Sequence, residues 1–253
     1  MAEQSRLTVI TGGSRGIGNA AAWALARSGD HVVLLGQDSM RVTHAAERMR
    51  DAGLQACAVA MDVSDPTCVT ELPALIEQAA RRPAHVDVLI MSAGVMSRRD
   101  AKTLRTTAEE WRRVHATNLD GPFHCVAALV PSMVERRSGR VISVSACLGR
   151  MSGPGTSGGL APYRVSKAAL NALTRNLAAE TGHGSRGVLV DAMCPGHCRT
   201  DMGGDQAPRS AEEGAQTIVW LANRAPQVVD ESTGAGTPVP TGLLWEDERV
   251  IDW

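Results

Sequence analysis

The feature that most narrows what this chain can fold into is an alternation. Short continuous apolar runs at Leu7–Ile10, His31–Leu35, Gln55–Ala60, Val86–Met91, Arg140–Ser145 and Val188–Met193 are separated by segments of helical periodicity. Those segments are Ile17–Arg27, Ser39–Asp51, Pro66–Ala80, Thr107–Arg137 and Ala161–Thr181. Strands that are apolar throughout, and not at every second residue, are covered on both faces. Strands that alternate with helices form βαβ units, whose strands run parallel. The pattern predicts an α/β fold: a doubly wound parallel sheet of about seven strands with helices on both faces. Pro66 sits where a helix tolerates proline, near the first turn. Thr107–Arg137 is long for one helix and is expected to bend near Gly121-Pro122. Ser210-Ala-Glu-Glu213 is a capping box that opens a last helix, Ser210–Ala222. Gly242–Trp245 reads as a final strand, Val228–Pro240 as loop, and the glycine-rich stretch Gly149–Gly159 as a mobile loop.

The chain has 253 residues, which suits one domain over 1–253. Hydrophobic residues make up 43% and charged residues 21%, a balance that fills a core. A net charge of -1 speaks against nucleic acid or a membrane surface as a partner, since either calls for a basic face. No apolar run approaches the ~20 residues of a membrane span. The opening, Met1–Arg6, lacks the apolar stretch of a secretory signal. The expectation is a cytoplasmic protein. Six cysteines, none in a CxxC pair, then read as free thiols in a reducing compartment. Cys194-Pro-Gly-His197-Cys198 resembles half a zinc site, but no further ligands stand at matching spacing, so no metal is expected.

Chemistry enters at two places. Thr11-Gly12-Gly13-Ser14-Arg15-Gly16-Ile17-Gly18 follows a strand and opens a helix. Glycines there let backbone approach a pyrophosphate held at the helix N-terminus, the arrangement of a Rossmann-type nucleotide site. The second place is Tyr163, the only tyrosine, four residues before Lys167 and so on the same helix face. Of 26 basic residues only Lys102 and Lys167 are lysine. A chain that uses arginine almost everywhere yet keeps Lys167 points to a need for a compact ammonium there. An ammonium beside a phenol favours the phenolate and is expected to lower the tyrosine's pKa. The pair can then pass a proton to or from a substrate oxygen.

The spacing TGxxxGxG, with Tyr163-Arg-Val-Ser-Lys167 as YxxxK, resembles the short-chain dehydrogenase/reductase family. The resemblance covers nearly the whole chain. It implies a nicotinamide cofactor cradled by Gly12, Ser14, Arg15, Gly16, Ile17 and Gly18, with Gln37 after the second strand. It implies that Asp62 and Val63 touch the adenine. It makes Met91-Ser92-Ala93-Gly94 a variant of the family's NNAG motif, with asparagine replaced at both leading positions. It assigns Asn118 to a proton-relay water, Tyr163 and Lys167 to catalysis and the cofactor ribose, and Pro195, Gly196 and Thr200 to the segment over the nicotinamide. The C-terminal third is similar to the carbonyl reductases. Family members commonly associate through the helices corresponding to Thr107–Arg137 and Ala161–Thr181, so a homodimer or homotetramer is expected.

Cofactor preference follows from one position. NAD-specific sites place a carboxylate after the second strand to bind the ribose diol. Here Gly36-Gln37 stand there, Asp38 reads as a helix cap, and Arg15 and Arg41 lie close in sequence. NADP(H) is expected as the preferred cofactor, with NAD(H) admissible.

One departure bears on mechanism. Where the family ends its fifth strand in two serines, the second catalytic, this chain reads Ser145-Ala146-Cys147. Neighbouring strand residues face opposite ways, so Ser145 does not simply replace the missing hydroxyl at Ala146. Loss of one oxyanion donor costs about 10²–10³ in turnover. Three readings stand. Ser145, or Ser152, Thr156 or Ser157 of the loop, substitutes. An iminium substrate needs less polarisation. Or the protein binds cofactor and turns over slowly, with a regulatory duty. Gly155-Thr-Ser157-Gly-Gly159 fits the GxSxG of hydrolases, but that elbow must follow directly on a strand, and here it follows loop. Specificity for a small-molecule substrate is expected from the loops at about 149–159 and 197–210, with His197 as a candidate substrate contact.

Overall fold

The computed structural model describes residues 5–229 and 236–253. Part of the opening Met1–Arg6, up to residue 4, and residues 230–235 of the stretch read as loop lie outside the described residues. The element order is β1 (Leu7–Thr11), α1 (Gly16–Arg27), β2 (His31–Gly36), α2 (Ser39–Asp51), β3 (Ala56–Ala60), α3 (Cys68–Ala80), β4 (Val88–Met91), α4 (Ala108–His115), α5 (Gly121–Arg136), β5 (Gly139–Val144), α6 (Ala161–Glu180), β6 (Val188–Met193), α7 (Ala211–Asn223), β7 (Gln227–Val229), β8 (Gly236–Pro238), β9 (Leu244–Glu246) and β10 (Arg249–Ile251). The main sheet runs β3-β2-β1-β4-β5-β6-β9-β10. All its pairs are parallel except β9 with β10.

The alternation predicted from sequence is visible as two cores. Leu7, Val9, Val33, Leu35, Leu89 and Met91 face one side of the sheet, against α3, α5 and α6. Ile10, Val32, Leu34, Val88 and Ile90 face the other, against α1, α2 and α7. β1, β4 and β6 are therefore buried at every position, which is why their runs are largely apolar. The doubly wound parallel sheet is as expected, with one strand more than seven. The addition is β10, a three-residue antiparallel edge strand with two exposed side chains, which leaves no apolar run to read. The span read as loop contains the antiparallel pair β7–β8.

Thr107–Arg137 is divided next to the expected position, Gly121-Pro122, by a change of helix type. Thr107 caps α4 by accepting from Glu110 N, a π-turn spans Ala116–Asp120, and α5 restarts at Gly121-Pro122. Pro122 has no N–H to donate, so the ladder breaks there. Gly121 lets α5 approach closely, since a Cβ would stand 2.8 Å from Val63 Cγ2. The loop Gly149–Gly159 is pinned in this structure. Arg164 donates to the carbonyls of Pro154, Gly155 and Gly159, and Met151 N donates to Trp253 O. Among the described residues no helix is long and apolar enough to cross a membrane.

The chain winds outward from β1 to β3 and then returns to β4 on the other side of β1. At such a reversal the loops after neighbouring strands diverge and leave a crevice at the carboxyl ends, where open α/β sheets bind ligands.

Candidate active site

A cleft of about 1530 Å³ opens at that reversal, and most of the residues singled out from sequence line it. Gly12, Ser14, Arg15, Gly16 and Ile17 come from the first turn, Gln37 from the end of β2, and Asp62 and Val63 from the end of β3. Ser92, Ala93 and Gly94 follow β4, Tyr163 and Lys167 lie on α6, and Pro195, Gly196 and Thr200 follow β6. Two of the expected residues stand behind the wall. Gly18 packs under the turn, where a Cβ would meet Gly12 O at 2.7 Å and Ser92 Oγ at 3.0 Å. Asn118 is fully buried in the π-turn.

The turn is shaped for the close approach of an anion. Gly12 has φ +65°, and a Cβ on it would stand 2.9 Å from the Ala93 backbone. Thr11 Oγ1 accepts from Ala93 N at 3.0 Å, which ties the turn to the β4 end. Arg15 occupies the N-cap of α1 and makes no side-chain cap, so no side chain of the cap closes over the amides that open the helix. These groups fit a pyrophosphate. Across the cleft Arg15 pairs with Asp201 of the segment after β6. At the adenosine end Gln37 Nε2 donates to Asp62 Oδ2 at 2.9 Å, while Asp62 Oδ1 accepts from Ser64. Asp38 is the cap of α2, accepting from Arg41 N. Arg41 and Arg48 line the same end.

At the other end Tyr163 and Lys167 are both buried, with Lys167 Nζ 5.9 Å from the phenol ring centroid. Lys167 Nζ donates to Val144 O at 2.7 Å, and Tyr163 N donates to Ser97 Oγ. The expected lowering of the tyrosine is reversed in the protein alone. Burial pushes the Tyr163 phenol up to about 12 and the Lys167 ammonium down to about 8. Both charged forms are stripped of water, and that burial is the cause of both shifts. Asn118 spends both amide groups on structure: Oδ1 accepts from Val95 N, and Nδ2 donates to Val95 O and Ser166 Oγ.

Ser145 lines the cleft beside Ala146 but is 2% exposed. Its hydroxyl donates to Asn171 Oδ1 at 2.5 Å, beneath the surface. Ala146 is extended and lines the cleft with its methyl group. Ser152, Thr156 and Ser157 are not among the lining residues, and Thr156 Oγ1 donates to Gly153 O. The GxSxG stretch lies in and after a 3-10 turn, not after a strand. His197 lines the cleft, with its Nε2 bonded to Gly203 O.

Sequence reasoning missed two groups. Trp23, Arg27 and Trp220 line the cleft from α1 and α7, with no motif to mark them. Cys147 and Cys194 form a disulfide, which corrects the expectation of free thiols for this pair. The two lie 47 residues apart and meet only because β5 and β6 are neighbours. Glu246 lies beside them, giving two sulfurs and a carboxylate close together.

A sequence model described as short chain dehydrogenase matches residues 6–226. The chain belongs to this family. Among its relatives, the 3-oxoacyl-(acyl-carrier-protein) reductase of Synechocystis sp. is 36% identical over 200 residues, 78% of this chain and 76% of that protein. The corresponding reductase of Pseudomonas aeruginosa is 31% identical over 96% of this chain and 99% of its own length. A solved short chain dehydrogenase/reductase family protein superposes with a TM-score of 0.76 at 30% identity, covering 97% of this chain and 96% of that one. A putative NAD(P) dependent gluconate 5-dehydrogenase from Beutenbergia cavernae, with bound NADP, superposes with a TM-score of 0.74 at 29% identity, covering 85% and 88%. As a short-chain dehydrogenase the chain is a nicotinamide-dependent oxidoreductase.

Proposed function

We propose that this short-chain dehydrogenase is an NADP(H)-preferring carbonyl reductase that moves hydride between nicotinamide and a small carbonyl/alcohol pair, with Tyr163 as proton donor. The observation that carries this reading is the placement of the chain's only tyrosine beside Lys167 in the cleft, with the glycine turn at the other end. When bound, the cofactor supplies hydride. The remaining steps belong to side chains of this protein. Gly12, Ser14, Arg15, Gly16, Ile17 and Gly18 form the pyrophosphate cradle. Gln37, Asp62 and Val63 meet the adenosine, and Ser92, Ala93, Gly94, Pro195, Gly196 and Thr200 flank the nicotinamide end. Lys167 holds the ribose hydroxyls and faces the phenol.

A phenol held up to about 12 stays protonated at neutral pH, which suits a donor to a carbonyl oxygen. The relatives' names, reductases of 3-oxoacyl groups and dehydrogenases of gluconate, favour oxo/hydroxy chemistry over an iminium substrate or a purely regulatory duty. The reading extends to one domain over 1–253, with substrate chosen by loops 149–159 and 197–210. It further holds that the protein works in the cytoplasm and that α4, α5 and α6 carry a homodimer or homotetramer interface.

The test is NADPH oxidation across a panel of ketones, aldehydes and 3-oxo esters, with Tyr163→Phe alongside. Tyr163→Phe is expected to lower turnover by about 10² or more while cofactor binding survives, because the ring keeps its packing and loses its proton. Near-normal turnover in Tyr163→Phe overturns the mechanism.

A further inference from the structure

The Cys147–Cys194 pair joins the two walls of the cleft at the reacting end. β5 and β6 pair as far as Val144 and Met193, and Ser145 N donates to Met193 O. The disulfide lies just beyond that last rung, with Cα atoms 5.8 Å apart, an ordinary span for such a bond. Each cysteine adjoins a lining residue: Ala146 precedes Cys147, and Pro195-Gly196 follow Cys194.

The surroundings serve both oxidation states. Cys194 Sγ accepts from Cys147 N at 3.0 Å and from Gly196 N at 3.4 Å, so two backbone donors await a thiolate there. Glu246 lies 3.6 Å from Cys147 Sγ and 3.8 Å from Cys194 Sγ, so both thiol hydrogens have an acceptor once the bond is open. Cys194 is 2% exposed and Cys147 is half-buried, so an incoming thiolate reaches Cys147 first.

We propose that Cys147 and Cys194 form a reversible thiol–disulfide exchange site for small thiols and disulfides of the glutathione class, and that its state sets how firmly the cleft holds substrate. A small thiolate attacks Cys147 Sγ, forming a mixed disulfide, and the electron pair of the broken bond leaves on Cys194 Sγ. A second small thiolate attacks the reagent sulfur of the mixed disulfide, forming the small disulfide and releasing Cys147 as thiolate. Protons from the two reagent thiols pass to the two cysteines. Two electrons thus move from two small thiols to the protein, and the small disulfide reverses the process. The two amides favour Cys194 as the leaving group in the first step, and the Glu246 carboxylate 3.8 Å away opposes them until it takes up a proton from the incoming thiol. Bonded, the pair fixes the spacing between Ala146 and Pro195-Gly196. Opened, it leaves the two loops joined by the β5–β6 ladder and the Cys147 N–Cys194 Sγ hydrogen bond, without a covalent tie. The effect on substrate rests on the reductase reading above; the exchange itself does not.

The experiment equilibrates the full chain in buffers of graded reduced-to-oxidised glutathione ratio, quenches with acid, alkylates with a mass tag and locates the tags by peptide mass spectrometry. Cys147 and Cys194 are expected to gain tags together along the series, while Cys68 and Cys125 stay tagged throughout. Tags on both residues in every buffer, on neither in any buffer, or only after a chelator removes a bound metal each overturn the exchange site. On the best substrate of the panel, the reduced protein is expected to show a KM about threefold to tenfold higher, since small misplacements in a reacting site are costly. NADPH affinity should change little. Cys147→Ser or Cys194→Ser, whichever folds, should hold the reduced KM in every buffer. If the tags shift and KM does not, the exchange site stands and its control of substrate falls. If no substrate of any class is turned over, the reductase reading fails and the tags alone decide the exchange site.

Discussion

At the residue scale the proposed catalytic pair was legible from a count, because a single tyrosine four residues from one of only two lysines is hard to place elsewhere. Its electrostatics were not, because burial is a property of the fold. Lys167 carries a folded-state pKa of about 8 against an ordinary 10.5, so between those values the unfolded chain holds more protons than the folded one. Stability must then rise with pH across that window. Tyr163, raised to about 12, acts in the opposite sense only above pH 10. The cofactor-free protein is expected to gain about 2 to 3 kcal/mol from Lys167 between pH 8 and pH 10. Urea unfolding of wild type and Lys167→Met across that range measures it, and parallel profiles refute it. The second residue-scale expectation concerns the missing hydroxyl. Ser145 gives its proton to Asn171, so Ser145→Ala should cost about 1–3 kcal/mol of stability and leave ketone turnover within a few-fold. Ala146→Ser places a donor on the cleft side and should raise ketone turnover about tenfold or more. A severe loss of turnover in Ser145→Ala, with Ala146→Ser neutral, would show that Ser145 has taken over the role.

At the scale of elements, the end of β2 carries the proposed preference for NADP(H). Gly36 leaves no side chain near the ribose, and Gln37 presents an amide bonded to Asp62 where a diol-binding carboxylate would stand. Asp38 is occupied as the cap of α2, and Arg41 and Arg48 line the same end of the cleft. On that reading a 2′-phosphate would meet Arg48 and Arg41, the latter 3.6 Å from Asp38 Oδ2, with an amide and not a carboxylate at position 37. Fluorescence titration is expected to give a Kd for NADPH about tenfold or more below that for NADH. Arg41→Ala should narrow the gap from the NADPH side only, and equal affinities at the outset would refute the preference. The same elements mark the limit of reading. β1, β2, β4, β5 and β6 were legible because burial on both faces leaves a nearly unbroken apolar run, and the helices were legible from their periodicity. β10 has three residues and two exposed side chains, so it leaves no such trace. The π-turn at Ala116–Asp120 was read only as a bend, since the glycine and proline mark where the ladder breaks and not what replaces it. The bond between Cys147 and Cys194 depends on β5 lying beside β6, a long-range fact with no local code.

At the scale of the whole molecule, the aromatic residues point to an assembly. They are only 3% of the chain, and Phe123 is its sole phenylalanine. Phe123 nevertheless stands 54% exposed on α5, with Trp111 39% exposed on α4 and Val165 44% exposed on α6. A chain so sparing of large rings would gain more by burying Phe123 in its own core, since an aromatic ring removes about 150–250 Å² from water. Apolar side chains exposed on three consecutive helices suit a surface that a second copy covers. Net charge near zero leaves little long-range repulsion to oppose it. Light scattering on the wild type is expected to return twice or four times the 26.7 kDa of the chain. Phe123→Asp with Val165→Asp should shift the mass to that of one chain by placing unpaired charge at the centre of the contact. NADPH affinity should survive in the double variant, because neither residue lines the cleft. A wild-type mass of one chain at working concentration refutes the assembly, and loss of NADPH binding with the mass would show that these helices hold the cleft in shape and are not merely a contact surface.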